Sequence, residues 1–219
     1  MNRPRIIVNA AMSVDGKIAL PNRKQLRISS NEDMKRVFQL RNECDAVLVG
    51  IGAVLEDDPK LTVKEEYVSS PKQPVRVVLD SYAQTPENAL VVNDWAETIL
   101  LIAETVERNK SYGDHVELLR CPEKRKGFLD LSVVFTKLYE RGIKTVLIEG
   151  GGTVIYNVLS HGLVDELYVY MGSIIIGGKK TPTLADGEGI ESIKHLIQLT
   201  LIEMKRVGNG VLLHYQLSR

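Results

Sequence analysis

The stretch Thr145-Val146-Leu147-Ile148-Glu149-Gly150-Gly151-Gly152-Thr153 runs from β-branched and aliphatic residues through three glycines into an apolar helical pattern. A short apolar run stopped by glycine reads as a buried strand at 145–149, and 153–161, closed by Gly162, as the helix after it. Glycines at such a turn let the backbone come close to a ligand. The N–H groups that open a helix lack intrahelical acceptors, so they favour a phosphate. A tight turn alone needs fewer than three glycines. Glu149 stands at the carboxyl end of the strand, where ligands of open α/β sheets collect.

The same alternation of strand and helix extends on both sides. Further strands are predicted at 5–10, 46–50, 75–80, 98–102, 116–119 and 166–170. Ser30-Asn31-Glu32-Asp33 resembles a capping box, and Met34, Val37, Phe38 and Arg41 follow at helical spacing. Leu131, Val134, Phe135 and Leu138 repeat that spacing up to Gly142, a residue suited to a left-handed cap. The chain ends differently, with period-two alternation at 199–207 and 211–217 around Gly208-Asn209-Gly210, which is a β-hairpin. The fold class is therefore α/β, with a mixed, mostly parallel central sheet flanked by helices and a C-terminal antiparallel β-hairpin. Residues 1–219 read as one domain, in which 60–74 and 104–126 are surface loops.

Composition narrows the functions. The chain has 219 residues, with 28 Lys+Arg against 28 Asp+Glu, so it carries no basic footprint for nucleic acid or an anionic membrane. No apolar run approaches the roughly 18 residues of a membrane span. Asn9 and Asp15 interrupt the apolar start before it reaches the length of a signal peptide. Cys44 and Cys121 form no C-x-x-C, which argues against disulfides and structural zinc and points to the cytoplasm.

Other candidate chemistry is thinner. Gly50-Ile51-Gly52-Ala53-Val54-Leu55 lacks the third glycine of a dinucleotide fingerprint, so a Rossmann domain is disfavoured. Asp57-Asp58-Pro59 has no third ligand for a metal. Asp57 reads as a hydrogen-bond acceptor, and Asp58 before proline as turn chemistry. His115-Val116-Glu117 matches half of a zinc-deaminase signature, but the P-C-x-x-C half is missing. His115, His161, His195 and His214 are scattered singly, and no G-x-S-x-G elbow supports a serine nucleophile. The small and polar residues from Asn9 to Ala19 leave room for a planar ligand, although Asp15-Gly16 alone is an ordinary turn. No metal site is expected.

Taken in order, these segments resemble the reductases of riboflavin biosynthesis, which share the fold of dihydrofolate reductase. The matching elements are Asn9-Ala10-Ala11-Met12-Ser13-Val14-Asp15-Gly16-Lys17-Ile18-Ala19, Ile28-Ser29-Ser30 with Leu40-Arg41, Asp45-Ala46-Val47-Leu48-Val49-Gly50, and Leu55-Glu56-Asp57-Asp58-Pro59-Lys60-Leu61-Thr62-Val63. Pro74-Val75-Arg76-Val77-Val78-Leu79-Asp80-Ser81, Glu149-Gly150-Gly151-Gly152-Thr153, Gly162-Leu163-Val164-Asp165-Glu166-Leu167 and Ile175-Ile176-Gly177-Gly178 complete the set.

The resemblance implies a cytoplasmic homodimer that uses NADPH, with NADH possible, to reduce a ribosylamino to a ribitylamino group on a pyrimidinone ribotide phosphate. A stand-alone reductase without a deaminase domain implies the diamino substrate, before deamination. By resemblance, Gly151, Gly152 and Thr153 hold the cofactor pyrophosphate, with Gly150 giving clearance, while Asp57 and Ser81 also touch the cofactor. Ala53 stands where relatives usually carry Thr, so a hydroxyl contact is lost. Asn9, Asp15, Arg41, Leu61, Lys64 and Glu149 face the substrate, with Arg41 and Lys64 suited to its phosphate. Glu149 is the candidate catalytic residue, and bound water is the other source of the proton. The alternatives are reduction of the deaminated analogue, a dihydrofolate-type reductase, and a non-catalytic nucleotide-binding module.

Overall fold

The computed structural model describes residues 2–24, 26–107 and 110–218. In chain order the elements are β1 (Arg5–Ser13), α1 (Asn31–Glu43), β2 (Ala46–Gly50), α2 (Ile51–Asp57), β3 (Val75–Leu79), β4 (Thr98–Ala103), β5 (Val116–Cys121), β6 (Glu123–Arg125), β7 (Phe128–Leu129) and α3 (Leu131–Glu140). They continue with β8 (Thr145–Ile148), α4 (Gly152–Ser160), β9 (Glu166–Gly172), β10 (Leu199–Val207) and β11 (Gly210–Leu217). The chain divides into two compact units, Met1–Arg5 with Phe38–Leu147, and Ile6–Val37 with Ile148–Arg219.

The first unit carries the strand order β8-β2-β3-β4-β5. β2 pairs parallel with β3, β3 with β4, and β4 with β5. Every residue of β2 and β4 is buried, as expected of parallel strands covered on both faces, and this is why their aliphatic runs were legible in the sequence. Arg76 on β3 is a buried exception. Its guanidinium donates to the carbonyls of Leu90, Asn93 and Ala96 and to Asn93 Oδ1, tying that loop to the strand, and burial pushes its pKa down to about 10. α3 is capped by Asp130, which accepts from Ser132 N and Val133 N, and it buries Val134, Phe135 and Leu138.

The second unit runs β1-β9-β11-β10. β1 and β9 are parallel, whereas β11 lies antiparallel to both β9 and β10. The C-terminal hairpin turns at the glycines read from the sequence. Ser30 Oγ accepts from Asp33 N at 3.2 Å, as the capping box predicts, but the Asp33 carboxylate turns to Ser29 and Arg36.

Several boundaries differ from expectation. β1 continues to Ser13 because Ala11, Met12 and Ser13 still pair with Tyr170, Met171 and Gly172, although small polar residues give no strand signal. β8 ends at Ile148, one residue before Glu149, and β3 at Leu79. α4 begins at Gly152. The helix α2 was not anticipated, because seven residues with one buried side chain, Val54, are too short to establish a period. The polar stretch 104–126 is not all loop, since β5 and β6 lie within it and β6 pairs with β7 just beyond it.

Candidate active site

In the second unit, the three glycines do three different jobs. Gly150 adopts φ 121, a conformation L side chains rarely reach, and its peptide bond to Gly151 is cis. A Cβ on Gly151 would meet nothing within 4 Å, so the space above that backbone is open. Gly152 is buried, and a Cβ there would fall 2.5 Å from Thr183 O and 2.9 Å from Asp186 Oδ2. The loop that packs on Gly152 is held by Asp186 N donating to Gly152 O at 3.1 Å, and by Asp186 Oδ1 accepting from Thr183 Oγ1 at 2.5 Å. Gly151 is the N-cap of α4 and provides no side-chain cap, so Gly152 N and Thr153 N open the helix without one. Glu149 is half-buried, just beyond the end of β8.

Asp15 and Asn9 are both engaged. Asp15 accepts from Ser13 Oγ at 2.7 Å, Ile176 N at 3.0 Å and Gly177 N at 2.7 Å. The Ser13 hydroxyl, with Ile176 N next, lowers its pKa to about 2. Asp15-Gly16 is thus a turn that also pins residues 176–177. Beside it, Ile18 N donates to Pro182 O and Leu184 N to Gly16 O, which brings the loop on Gly152 against the end of β1. Asn9, 7% exposed, accepts from Arg36 Nη2 at 2.7 Å. Arg36 also donates to Asp33 Oδ1 at 2.7 Å, and Asp33 Oδ2 accepts from Ser29 Oγ at 2.6 Å.

In the first unit, Arg41 and Lys64 converge on one aromatic ring. The Arg41 guanidinium lies 5.2 Å and Lys64 Nζ 5.6 Å from the centroid of Phe38, which stacks on Tyr67 at 4.6 Å. Arg41 Nη1 donates to Thr62 O at 2.9 Å, and exposed Lys64 pairs with Glu66 at 3.2 Å. Leu61, between them, buries its side chain at 2% exposure and takes φ 51, so it can offer a ligand its backbone only. Ala53 and Asp57, four residues apart, share one face of α2, with Asp57 exposed. Asp58 follows as a left-handed cap at φ 42 and accepts from Leu90 N at 2.7 Å. Ser81 Oγ donates to Gly127 O at 2.9 Å. Ser81 is presented by Asp80, 0% exposed, whose carboxylate accepts from Gln84 N, Thr85 N and Thr85 Oγ1.

The half-signature His115-Val116-Glu117 is absorbed structurally: His115 Nε2 lies 2.8 Å from Val92 O, and Glu117 pairs with Arg141. Among the described residues no group of three or more His, Cys, Asp or Glu could hold a metal. Sequence reasoning missed Arg36, Thr183 and Asp186. Nothing local marks them, because each acts on a partner many residues away.

Within the second unit, an open glycine turn at the start of a helix suits a phosphate group, and the mixed α/β fold is that of dihydrofolate reductase-like proteins. Dihydrofolate reductase from Enterococcus faecalis superposes over 98% of this chain and 97% of its own, with a TM-score of 0.51 at 13% identity. Residues 4–213 match the model of the RibD C-terminal domain, and the chain belongs to that family. It is 40% identical to the 2,5-diamino-6-ribosylamino-4(3H)-pyrimidinone 5′-phosphate reductase of Methanothermobacter thermautotrophicus, covering 97% of this chain and 98% of that one. The reductase of the same name from Archaeoglobus fulgidus is 39% identical over 95% of each chain. A structure of the deaminase/5-amino-6-(5-phosphoribosylamino)uracil reductase from Thermotoga maritima matches with a TM-score of 0.82 and 25% identity, over 99% of this chain and 57% of that one.

Proposed function

We propose that this chain reduces 2,5-diamino-6-ribosylamino-4(3H)-pyrimidinone 5′-phosphate to the ribitylamino compound in riboflavin biosynthesis, with NADPH as reductant. The observation that carries the reading is the near full-length match to stand-alone reductases of that name. The glycine turn supports it chemically: Gly151 leaves open space over its backbone, and α4 starts without a side-chain cap, which together fit a pyrophosphate.

When bound, a nicotinamide would supply the hydride that reduces the sugar C1. Gly151, Gly152 and Thr153 hold the pyrophosphate through backbone N–H groups, and Gly150 keeps side chains out of the way. Ser81 and Asp57 contact the cofactor, with Ala53 on the same face of α2 as Asp57 contributing no hydroxyl. Arg41 and Lys64, gathered on Phe38, neutralise the substrate phosphate, and the Leu61 backbone lines the same segment. Asn9 presents its amide to the substrate, and Asp15 fixes the loop that borders it. Glu149 faces the substrate, either handing the proton to nitrogen or orienting the water that does so.

The chain works as a homodimer in the cytoplasm. Leu199, Leu201 and Met204 of β10 are 37%, 51% and 67% exposed, an apolar strand surface that a second copy would cover. No described helix is long and apolar enough to cross a membrane.

The test is NADPH oxidation by the purified chain with the diamino substrate, the deaminated analogue and dihydrofolate in parallel. Turnover with the diamino compound is expected. Turnover with the deaminated analogue alone keeps the chemistry and moves the step after deamination. Silence with all three refutes the reductase.

A further inference from the structure

Asn9 is 7% exposed, yet the fold uses only one end of its amide. Oδ1 accepts from Arg36 Nη2 at 2.7 Å, whereas Nδ2 has no hydrogen-bond partner among the described residues. A donor shut away from water without a partner would be costly. Nδ2 is not shut away, since it does not count among the buried side-chain atoms that lack a partner; it borders accessible space. The next residue on the same face of β1 is Ala11, half-exposed and with no side chain beyond Cβ, which leaves room beside that donor.

We propose that Arg36 is a positioning residue for substrate recognition: it holds the Asn9 amide so that Nδ2 meets a carbonyl oxygen of the pyrimidinone, and a ring that presents an N–H at that point is refused. The inference rests on the reductase reading, in which Asn9 faces the substrate. A guanidinium carries five N–H donors and no acceptor. Turning the amide over would set its NH2 group against Arg36 Nη2, donor against donor, and lose the bond. The amide is thus held with its donor outward before any ligand arrives, so this side chain does not have to be ordered on binding.

Arg36 is itself fixed from three sides, of which Asn9 is one. Its Nε donates to Asp33 Oδ1 at 2.7 Å, and Asp33, whose side chain is 1% exposed, is held by Ser29 Oγ donating to Oδ2 at 2.6 Å. The guanidinium also lies 5.8 Å from the ring centroid of Tyr168, the register partner of Asn9 on β9. Tyr168 in turn stacks on His214 of β11, ring centroids 4.2 Å apart, and its hydroxyl donates to Glu166 Oε2 at 2.8 Å. Asp33 already neutralises Arg36, so the fold needs only a neutral acceptor at position 9. What an amide adds is the donor at its other end, and the fold gives that donor nothing to bind.

The test measures KM and kcat for the diamino substrate at saturating NADPH, on variants first shown to be folded by circular dichroism. Asn9→Asp keeps an acceptor for Arg36 and replaces the donor by a carboxylate oxygen, so KM is expected to rise about 10- to 100-fold, the scale of a hydrogen-bonding group left facing the wrong partner. The rise should appear in KM more than in kcat, because the contact is made in ground and transition states alike. Arg36→Met frees the amide to turn over and should raise KM at least about twofold, the share lost when two orientations become equal. In the Asn9→Ala background the same change should raise KM no further, because Arg36 acts through that amide. Asp33→Asn/Arg36→Met repeats the comparison without a stranded carboxylate. A wild-type KM in Asn9→Asp overturns the donor assignment. An equal rise from Arg36→Met in both backgrounds, or none in either, overturns Arg36 as the positioning residue, and each of these outcomes leaves the reductase standing. If the wild type does not turn the substrate over, the reductase reading falls and takes this inference with it.

Discussion

Arg36 Nη2 donates to Asn9 Oδ1 at 2.7 Å, and Arg36 Nε donates to Asp33 Oδ1 at the same distance. The guanidinium has only donors, so it fixes which end of the Asn9 amide faces it and aims the Nδ2 donor away. The cation also lies 5.8 Å from the Tyr168 ring, in the row of β1 and β9 where Asn9 pairs with Tyr168. One helical residue thereby sets the orientation of an amide on a strand.

Replacing Arg36 by Met tests that arrangement. The Asp33 side chain is only 1% exposed and would lose its cationic partner, and Asn9 Oδ1 would lose its donor. Stranding one member of a buried charge pair costs about 2–4 kcal/mol. The urea midpoint is expected to fall by that equivalent with an unchanged slope. A midpoint equal to wild type would show that Arg36 contributes nothing net.

The glycine turn separates packing from binding. Gly152→Ala would drive a methyl group to 2.5 Å from a backbone carbonyl, and relief by moving the 183–186 loop is expected to cost about 1–3 kcal/mol. Gly151→Ala has open space and φ −75, so its stability should match wild type. If the open space is where pyrophosphate approaches, the Gly151 variant instead loses NADPH affinity. Thermal unfolding and calorimetry on both variants check this, and a Gly151 variant with full affinity removes the pyrophosphate from this turn.

Much of this was legible in the sequence, for identifiable reasons. β2 and β4 are buried along their whole length, so their aliphatic runs announce themselves. The turn from Glu149 to Thr153 is contiguous, and its chemistry is written in adjacent letters. α2 and the β6–β7 hairpin escaped because elements of two to seven residues carry no measurable period. Arg36, Thr183 and Asp186 escaped for another reason. Arg36 meets Asn9 across 27 positions, and Asp186 N meets Gly152 O from a different loop altogether, so their roles exist only once the chain is folded.

Asp15 gives a pH dependence with a definite sign. Its pKa falls from 3.8 to about 2, so its bonds to Ile176 N and Gly177 N stabilise fully above pH 3.8 and fade as pH falls toward 2. Hydrogen exchange at the amides of Ile176 and Gly177 should therefore stay slow at pH 4 and quicken near pH 2. Asp15→Asn, with one acceptor oxygen and no charge, should exchange faster at pH 6. Equal rates in both proteins at pH 6 would remove Asp15 as the latch.

The edge strand β10 carries the last prediction. Leu201 pairs with Tyr215 and Met204 with Leu213, so the irregularity between Leu201 and Glu203 keeps both apolar residues on one face where strict alternation would have split them. Tyr215 and Leu213 are themselves only half-buried, which extends the apolar surface across two strands. An exposed edge strand also offers unpaired backbone N–H and C=O groups, and natural proteins blunt such edges with charge unless something covers them. β10 does carry exposed Glu203, Lys205 and Arg206, but Leu201, Ile202 and Met204 are exposed beside them, and these apolar positions fit cover by a second copy. Leu201→Lys/Met204→Lys places two like charges on that face, and because both side chains are already exposed in the single chain, the fold should survive. Sedimentation velocity is expected to show a dimer for the wild type and a monomer for the double variant, each with native circular dichroism. A double variant that sediments as the wild type does would move the interface elsewhere on the molecule.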